Sequence, residues 1–293
     1  MYDIKALYEA DSVEHAIALL LEHPNAQIIA GGSDVLVQIR EGRRAGVELV
    51  SIYGIDALRG VTYDEEDSIR IGSLTSFTKL AGSPIIQKHI PVLGEAVSQV
   101  GGPQIRNIGT IGGNTCNGVT SADSAATLFA WDAVIELTGP EGIRRIPIQE
   151  FYISAGKVDL KPGELQTAIL IPKPAYDRWY GYYIKYAMRG AMDIANLSCS
   201  VSVKLAEDRK TVANARIAYG VAGPIPMRVP TAEAFAKGKP ISEETVKGFS
   251  EAVLSDIHPR DSWRAAKALR EHIAVEIAAR AFAESIRRAG GNI

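Results

Sequence analysis

Cysteine is scarce in this sequence, and its scarcity limits the metal chemistry that the chain can support. Among 293 residues there are two cysteines, Cys116 and Cys199, and five scattered histidines. An iron–sulfur cluster requires about four thiolates, and a structural zinc site requires cysteine and histidine ligands at close spacing. The chain is therefore expected to hold no metal of its own. Two cysteines also argue against a secreted disulfide scaffold.

The sequence also lacks an excess of one charge and lacks a long apolar run. Lys and Arg number 32 against 34 Asp and Glu, and the formal net charge is −2. A nucleic-acid or membrane-surface binder normally carries a basic excess, so neither partner is expected. No segment approaches the roughly 20 apolar residues that cross a bilayer, and residues 1–5 lack the basic start of a signal peptide. These features predict a cytoplasmic protein.

Helical and strand patterns alternate along the chain. Helices are predicted over residues 11–22, 35–40, 75–81, 91–100, 123–131, 231–237, 243–255 and 263–288, and strands over residues 27–30, 48–52, 68–72, 133–138, 182–186, 198–205 and 214–221. Asp11 is the expected N-cap of the first helix. Trp263 is expected to open the last helix and to pack against a sheet. Pro172 and Pro174 mark the expected boundary between two domains, residues 1–175 and 176–293.

A tight glycine turn follows the strand predicted at residues 27–30. Gly31 and Gly32 come first, and Ser33 and Asp34 follow them. Because glycine has no side chain, the backbone N–H groups of such a turn can close on phosphate oxygens. Asp34 is expected to cap or brace the turn, since a carboxylate repels phosphate. Taken alone, the same residues are also typical of an ordinary tight turn.

A second glycine-rich segment spans residues 101–118, where the helical periodicity disappears. It contains six glycines, one proline and three asparagines, which predicts a long loop. The glycines would let the backbone approach a ligand, while Thr110 and Asn114 can supply hydrogen bonds. A ligand-free Ω-loop is the alternative for this segment alone.

Two separate phosphate-type segments together indicate a dinucleotide site, without choosing the dinucleotide. Neither segment has the G-x-G-x-x-G or P-loop spacing, so a doubly wound dinucleotide fold is disfavoured. Cys116 lies beside the second segment, but no other cysteine is near in sequence, so a buried structural thiol is the preferred interpretation. His89 and His258 have no carboxylate or nucleophile at catalytic spacing. No catalytic residue is therefore assigned.

Several segments together resemble the FAD-binding subunits of molybdenum hydroxylases of the xanthine dehydrogenase type. They are residues 30–34 (AGGSD), 104–114 (QIRNIGTIGGN), 121–126 (SADSAA), 185–189 (KYAMR), 193–195 (DIA) and 259–265 (PRDSWRA). Their order and spacing match, and the likeness covers essentially the whole chain. It is strongest to the separate flavin subunits of bacterial xanthine dehydrogenases. Ser33 departs from the threonine common in the family but keeps the hydroxyl.

The resemblance implies an α+β fold. Residues 1–175 would form a FAD-binding domain of the vanillyl-alcohol oxidase and MurB type, made of two α+β subdomains. Residues 176–293 would form a smaller domain with an antiparallel sheet backed by helices. The implied FAD-binding residues are Ile29, Ala30, Gly31, Gly32, Ser33, Asp34, Val35, Thr110, Ile111, Gly112, Gly113, Asn114, Asp123, Leu165 and Lys185.

Individual roles also follow from the resemblance. The turn at residues 30–34 would wrap the pyrophosphate, and Ile111 would lie near the flavin ring. Asp123 would accept hydrogen bonds from ribose hydroxyls, and Lys185 would lie near the flavin as a cation. An apolar contact of the family would fall at Leu165 or Gln166.

The resemblance further implies a complex of three kinds of subunit, assembled as a dimer of heterotrimers. A large molybdopterin subunit would hydroxylate xanthine or a related N-heterocycle. A small subunit with two [2Fe–2S] clusters would pass electrons to FAD in this chain, and FAD would reduce NAD+. Two alternatives are a self-sufficient flavoprotein oxidase or reductase on the same fold and a non-catalytic nucleotide-binding assembly module. The substrate, and the choice between NAD+ and another acceptor, stay open.

Overall fold

A three-stranded parallel sheet begins the chain in the computed structural model, which describes residues 2–293. Its elements are β1 (Ile4–Glu9), α1 (Val13–Glu22), β2 (Gln27–Ile29), α2 (Val35–Arg40) and β3 (Val47–Ser51), with strand order β1-β3-β2. Parallel strands need crossover connections, which the two helices and their flanking turns provide. Residues 30–34 therefore leave the carboxyl edge of the sheet, where α/β sheets commonly bind ligands.

A five-stranded antiparallel sheet and seven short helices follow. The strands are β4 (Val61–Tyr63), β5 (Ile69–Gly72), β6 (Val134–Gly139), β7 (Gly142–Pro147) and β10 (Leu165–Ile171), in the order β4-β5-β10-β6-β7, and β8 (Tyr152–Ser154) pairs with β9 (Lys157–Val158). The helices are α3 (Phe77–Ala81), α4 (Pro84–His89), α5 (Pro91–Val97), α6 (Pro103–Ile108), α7 (Ile111–Cys116), α8 (Ala125–Ala130) and α9 (Ile148–Phe151). A 3-10 turn occupies Asp56–Leu58. Trp131, Phe129 and Phe151 are the bulkiest apolar side chains buried in this part.

The C-terminal part is a four-stranded antiparallel sheet covered by helices. The strands are β11 (Tyr180–Tyr186), β12 (Leu197–Leu205), β13 (Val212–Gly220) and β14 (Met227–Arg228), in sequential order. The helices are α10 (Lys173–Tyr176), α11 (Pro230–Ala236), α12 (Glu243–Ala252) and α13 (Lys267–Arg288), with a 3-10 turn at Val253–Ser255. Alternate residues of β12, such as Val201, pack in the same core as α13. Together the three parts give the α+β class that the sequence predicts.

Serines line the other side of β12, which contacts α8 of the preceding part. Ser198, Ser200 and Ser202 are fully buried, and the Ser202 hydroxyl donates to the carbonyl oxygen of Ala130 at 3.0 Å. Strict alternation of apolar and polar residues usually predicts a strand with one solvated face. Here the polar residues are small enough to pack against a helix, so both faces of the strand are buried.

Two arginines tie the C-terminal sheet to the turn after α8. Arg216 forms an ion pair with Asp132 at 2.9 Å, and its guanidinium stacks on Trp179 at 3.7 Å. Arg228 donates to the carbonyl oxygen of Phe129 at 3.2 Å and also pairs with Asp132. The two halves of the chain are therefore joined by charged contacts as well as by apolar packing.

Residues 101–118 are not the long loop that the sequence predicts. They contain the two helices α6 and α7, each of six residues. Pro103 stands in the first turn of α6, where its missing N–H costs nothing, and the Thr110 hydroxyl caps α7 by accepting from the N–H of Gly113. Each helix is shorter than two turns, so apolar periodicity had no length over which to appear.

Two further predictions about helix starts are wrong. Ser12, rather than Asp11, caps α1, because its hydroxyl accepts from the N–H of His15 at 3.1 Å. The last helix begins at Lys267, four residues beyond Trp263, whose side chain does not pack against a sheet. Trp263 is 86% exposed.

The connection between the two halves runs through α10. Strand β10 ends at Ile171 and β11 begins at Tyr180, so the division at residue 175 lies within α10 and stays a prediction. Among residues 2–293, no helix combines the length and the apolar character needed to cross a membrane.

Candidate functional site

A cleft of about 330 Å³ separates the parallel sheet from helices α6 and α7. The side formed by the turn after β2 is lined by Ala30, Gly31, Gly32, Ser33, Asp34 and Val35. The opposite side is lined by Gly109, Thr110, Gly112, Gly113 and Asn114. Strand β10 contributes Leu165 and Gln166. The two glycine segments, residues 30–34 and 101–118, therefore face one cavity although they are far apart in sequence.

Gly31 is the point at which the two segments touch. A Cβ atom built on Gly31 would lie 1.9 Å from the carbonyl oxygen of Ile108 and 2.7 Å from its carbonyl carbon. No side chain fits at such a distance, so glycine is required for this approach. The next residue, Gly32, has φ +71°, in the left-handed region that favours glycine. Together these two positions shape the rim of the cleft.

The turn after β2 offers free backbone donors. Within the described part of the chain, residues 2–293, no acceptor lies in hydrogen-bond geometry to the N–H groups of Gly31, Gly32, Ser33 or Asp34. Consecutive N–H groups in a turn form a concave site for an anion. Four such donors suit a group with several anionic oxygens, such as a diphosphate.

The side chains of the second segment are mostly engaged within the protein. The Thr110 hydroxyl accepts from the N–H of Gly113 at 3.1 Å, and the amide oxygen of Asn114 accepts from the Ser124 hydroxyl at 2.6 Å. These bonds leave the Thr110 proton and the Asn114 NH₂ group available to a ligand. Both side chains are thus oriented by bonds within the protein.

Strand β10 forms the floor of the cleft. Leu165 and Gln166 both line the cavity, although consecutive residues of a regular strand point to opposite faces. The pairing of β10 with β6 shifts register directly after these two residues, between Gln166 and Ala168. The family resemblance places an apolar FAD contact at Leu165 or Gln166, and both of these residues line the cleft.

Two charged side chains, Asp34 and Arg44, lie among the described residues that line the cleft. Arg44 donates to the side-chain oxygens of Gln27 at 2.6 Å and Gln38 at 2.5 Å, while the amide of Gln38 donates to the Asp34 carboxylate. The Asp34 side chain thus bonds to a residue of α2 and makes no cap bond to the backbone, so its expected role in bracing the glycine turn stays a prediction. The guanidinium of Arg44 adds a cation that complements an anionic ligand.

Cys116 also lines the cleft. The residue is partly exposed, but its sulfur is enclosed, and burial raises the pKa of the thiol to about 12. It is therefore a neutral S–H group near pH 7, and its sulfur lies 3.1 Å from the side-chain oxygen of Gln166, to which it donates. A neutral thiol is a poor nucleophile, which agrees with a structural role.

Comparisons with known proteins agree with this geometry. Residues 2–174 match the model of the FAD binding domain in molybdopterin dehydrogenase, and residues 182–285 match the CO dehydrogenase flavoprotein C-terminal domain. The chain belongs to the FAD-binding subunits of molybdenum hydroxylases. It is 40% identical, over all of both chains, to the putative xanthine dehydrogenase FAD-binding subunit XdhB of Escherichia coli K12.

More distant members share the whole fold. The carbon monoxide dehydrogenase medium chain of Hydrogenophaga pseudoflava is 30% identical over 86% of this chain and 87% of its own length. A solved carbon monoxide dehydrogenase from the same organism, lacking the Mo-pyranopterin moiety, superposes with a TM-score of 0.92 over 98% of this chain and 99% of that chain, at 28% identity. The α+β FAD-binding fold predicted from the sequence is thereby confirmed.

The cleft fits the FAD that the family implies. The free N–H groups of residues 31–34 and the nearby Arg44 suit the pyrophosphate, and the glycine contact at Gly31 leaves the cavity open between the two segments. Of the remaining predicted FAD-binding residues, Ile29 and Ile111 do not line the cleft. The Ile111 side chain is fully buried in the core.

Asp123 and Lys185 are not among the residues that line the cleft, and they contact each other. The Lys185 ammonium donates to the Asp123 carboxylate at 2.8 Å and to the carbonyl oxygen of Gln99 at 3.0 Å, and the Tyr183 hydroxyl donates to the other carboxylate oxygen at 3.1 Å. Burial raises the pKa of Asp123, although Lys185 and Tyr183 act in the opposite direction. Lys185 also lines a second cavity of about 460 Å³. The pair joins the segment before α8 to strand β11.

Sequence reasoning missed Arg44 and the bonding role of Cys116. The basic residues Arg40, Arg43 and Arg44, soon after the first glycine turn, were a signal that could have suggested a cation for the anion site. No signal in the sequence could have placed Cys116 beside Gln166, because the two residues are 50 positions apart and meet only through the packing of α7 on β10.

Proposed function

We propose that this chain binds one FAD in the cleft and acts as the electron-transfer subunit of a molybdenum hydroxylase complex. The observation that carries the proposal is the turn of free N–H groups at residues 31–34, opposite the second glycine segment. The predicted FAD-binding residues that line the cleft at these two segments, with Leu165, would contact the cofactor directly. Asp123 and Lys185 would act from the adjoining buried pair.

The protein contributes binding and orientation, and FAD, when bound, supplies one- and two-electron redox chemistry. The backbone donors of residues 31–34 would hold the pyrophosphate, and Arg44 would offset its charge. Among described residues lining the cleft, Asp34 is the one carboxylate and no histidine occurs. A self-sufficient oxidase would need an acid or base beside the flavin, so this lining favours the electron-transfer subunit.

The proposed electron path joins this chain to two partners. Electrons would arrive from [2Fe–2S] clusters of a small subunit and leave for NAD+, while a large molybdopterin subunit hydroxylates xanthine or a related N-heterocycle. The names of the relatives as subunits or medium chains support assembly, here proposed as a dimer of heterotrimers. Relatives named for xanthine, nicotinate and carbon monoxide dehydrogenases share this chain's fold, so the substrate would be selected by the molybdopterin subunit.

An anaerobic absorbance titration of the purified chain with NADH tests the proposal. We expect yellow protein whose flavin bleaches on addition of NADH. Flavin that stays oxidised would contradict NAD+ as the acceptor of this chain. Protein that purifies without flavin and does not take it up would instead support a nucleotide-binding assembly module.

A further inference from the structure

The side-chain amide of Gln166 is held at one end and free at the other. Its oxygen accepts from the Thr115 hydroxyl at 2.8 Å and from the Cys116 thiol at 3.1 Å. Its nitrogen has no hydrogen-bond partner among residues 2–293, although Gln166 is only 3% exposed. Gln166 also lines the cleft. Gln166 therefore brings a buried, oriented amide to the wall of the cleft.

A buried donor without a partner destabilises the folded protein, so such groups are rare unless something outside the chain satisfies them. An apolar side chain would fill the same position without this cost, and the family resemblance implies an apolar contact at this part of the strand. Its neighbour Leu165 already supplies an apolar side chain to the same part of the cleft. Packing alone would therefore favour an apolar side chain at this position, where the chain has the polar Gln166.

We propose that Gln166 is a further cofactor-binding residue, whose amide NH₂ donates to a neutral acceptor atom of FAD, and that Thr115 and Cys116 position it. The acceptor would be a ring nitrogen, a carbonyl oxygen or a hydroxyl oxygen. The proposal rests on the proposed function, since it assigns a contact within the same FAD site.

The geometry of α7 separates this contact from the pyrophosphate. Thr110 caps the start of the helix near the glycine turn, and Cys116 is its last residue. Six residues at about 1.5 Å each place these ends about 9 Å apart. A group held beside Cys116 is therefore a different part of the ligand from the one at Thr110, and FAD is long enough to reach both.

The thiol state agrees with a positioning role. Because burial raises the pKa of Cys116 to about 12, the thiol keeps its proton near pH 7 and can donate to Gln166. A serine would keep that donor, whereas alanine would remove it. Cys116→Ser should therefore bind FAD like the natural chain, and Cys116→Ala should bind it more weakly.

The test is a fluorescence titration of FAD into the flavin-free full chain, compared with Gln166→Met, which keeps the length of the side chain but removes its donor. Loss of one hydrogen bond should raise the Kd for FAD about 3- to 10-fold. Gln87→Met is the matched control, because Gln87 is exposed and lies outside the cleft, and its Kd should be unchanged. Parallel titrations with ADP locate the acceptor atom. If Gln166→Met loses the same affinity for ADP as for FAD, the acceptor is on the adenosine half of FAD. If it loses affinity for FAD alone, the acceptor is on the flavin half.

An unchanged Kd for both ligands in Gln166→Met would overturn the inference while leaving FAD binding by the chain intact. Failure of the natural chain to bind FAD would instead overturn the proposed function. Thermal unfolding separates a binding role from a structural one. A binding role predicts that flavin-free Gln166→Met has an unfolding temperature equal to or above that of the natural chain. It also predicts that FAD raises this temperature less in the variant than in the natural chain. Lower stability in the flavin-free state together with an undiminished gain from FAD would contradict it.

Discussion

At the scale of single residues, Gly31 sets the distance between the two glycine segments. A methyl group at this position would overlap the carbonyl oxygen of Ile108, so Gly31→Ala must push the segments apart. We expect a loss of about 1–3 kcal/mol in unfolding free energy, typical of overpacking. FAD affinity should fall as well, because the N–H groups of the turn move relative to the second wall. Urea unfolding and FAD titration measure the two effects.

Gly82→Ala is the control for Gly31→Ala. Gly82 has an ordinary backbone conformation, and a Cβ there would meet its nearest neighbour, the carbonyl oxygen of Thr78, at 3.5 Å. This substitution should leave FAD affinity unchanged. Equal FAD affinities in the natural chain, Gly31→Ala and Gly82→Ala would show that the contact at Gly31 does not shape the site.

The two thiols should be unreactive in the folded protein. Burial raises the pKa of Cys116 to about 12 and raises that of Cys199 as well, so neither forms an appreciable fraction of thiolate at pH 8. A disulfide reagent such as dithionitrobenzoate should therefore release almost no thionitrobenzoate from native protein. In guanidinium chloride it should react with both cysteines. Rapid reaction of one thiol in the native state would mean that Cys116 is a redox-accessible group.

At the scale of elements, the Asp123–Lys185 pair holds strand β11 against the segment before α8. Both side chains are under 10% exposed, so Lys185→Ala leaves a buried carboxylate without its cation. We expect a loss of about 3–5 kcal/mol in unfolding free energy at pH 8. The loss should shrink toward pH 5, because burial raises the pKa of Asp123 and the carboxyl takes up a proton as pH falls.

Urea unfolding of Lys185→Ala at both pH values measures this effect. The double variant Lys185→Ala with Asp123→Asn should recover part of the stability, because it removes the unpaired charge. A loss that is the same at pH 8 and pH 5 would show that packing of the lysine stem, rather than charge pairing, stabilises this contact.

The sequence predicted several elements whose apolar pattern is sharply bounded, but it missed the fully buried central strand β10. The bounds of α2, residues 35–40, agree with the prediction, since a glycine turn precedes the helix and charged residues follow it. Strands β1 and β7 were not predicted. Each lies at the edge of its sheet with mostly exposed or half-exposed residues, so no buried face produces an alternating pattern.

The candidate site was predictable where it depends on backbone chemistry. Adjacent glycines at residues 31 and 32, and again at 112 and 113, are visible in the sequence, and the structure brings both pairs to one cleft. The pairing of Asp123 with Lys185 was not predictable, because it depends on how β11 docks beside α5. The unpartnered amide nitrogen of Gln166 was likewise not predictable, because the bonding of this side chain depends on how α7 packs on β10.

At the scale of the whole molecule, an exposed apolar patch surrounds Trp263. Trp263, Met188 and Met192 are 86%, 73% and 65% exposed, and the loops that carry them approach each other at Arg264 and Asp193, 3.9 Å apart. Tryptophan, methionine and arginine are enriched at the centres of protein interfaces. We therefore expect Trp263→Ser to weaken assembly with the proposed iron–sulfur and molybdopterin partners without changing FAD content.

Co-purification of the coexpressed subunits measures this assembly. Ile143→Ser is the matched control, because Ile143 is 65% exposed on the edge strand β7, away from this patch. Recovery of the partners should fall for Trp263→Ser alone. Equal recovery from both variants would assign the patch no part in the complex.

The central claim, that the cleft between the two glycine segments holds FAD, is tested most directly by the molar ratio of FAD to purified chain. A Cβ at Gly113 would meet only the Thr110 hydroxyl, at 3.0 Å, so Gly113→Trp should fold while its indole fills the cleft. We predict about one FAD per natural chain and almost none for Gly113→Trp with unchanged circular dichroism. Equal FAD content in the two folded proteins would contradict this location of the cofactor.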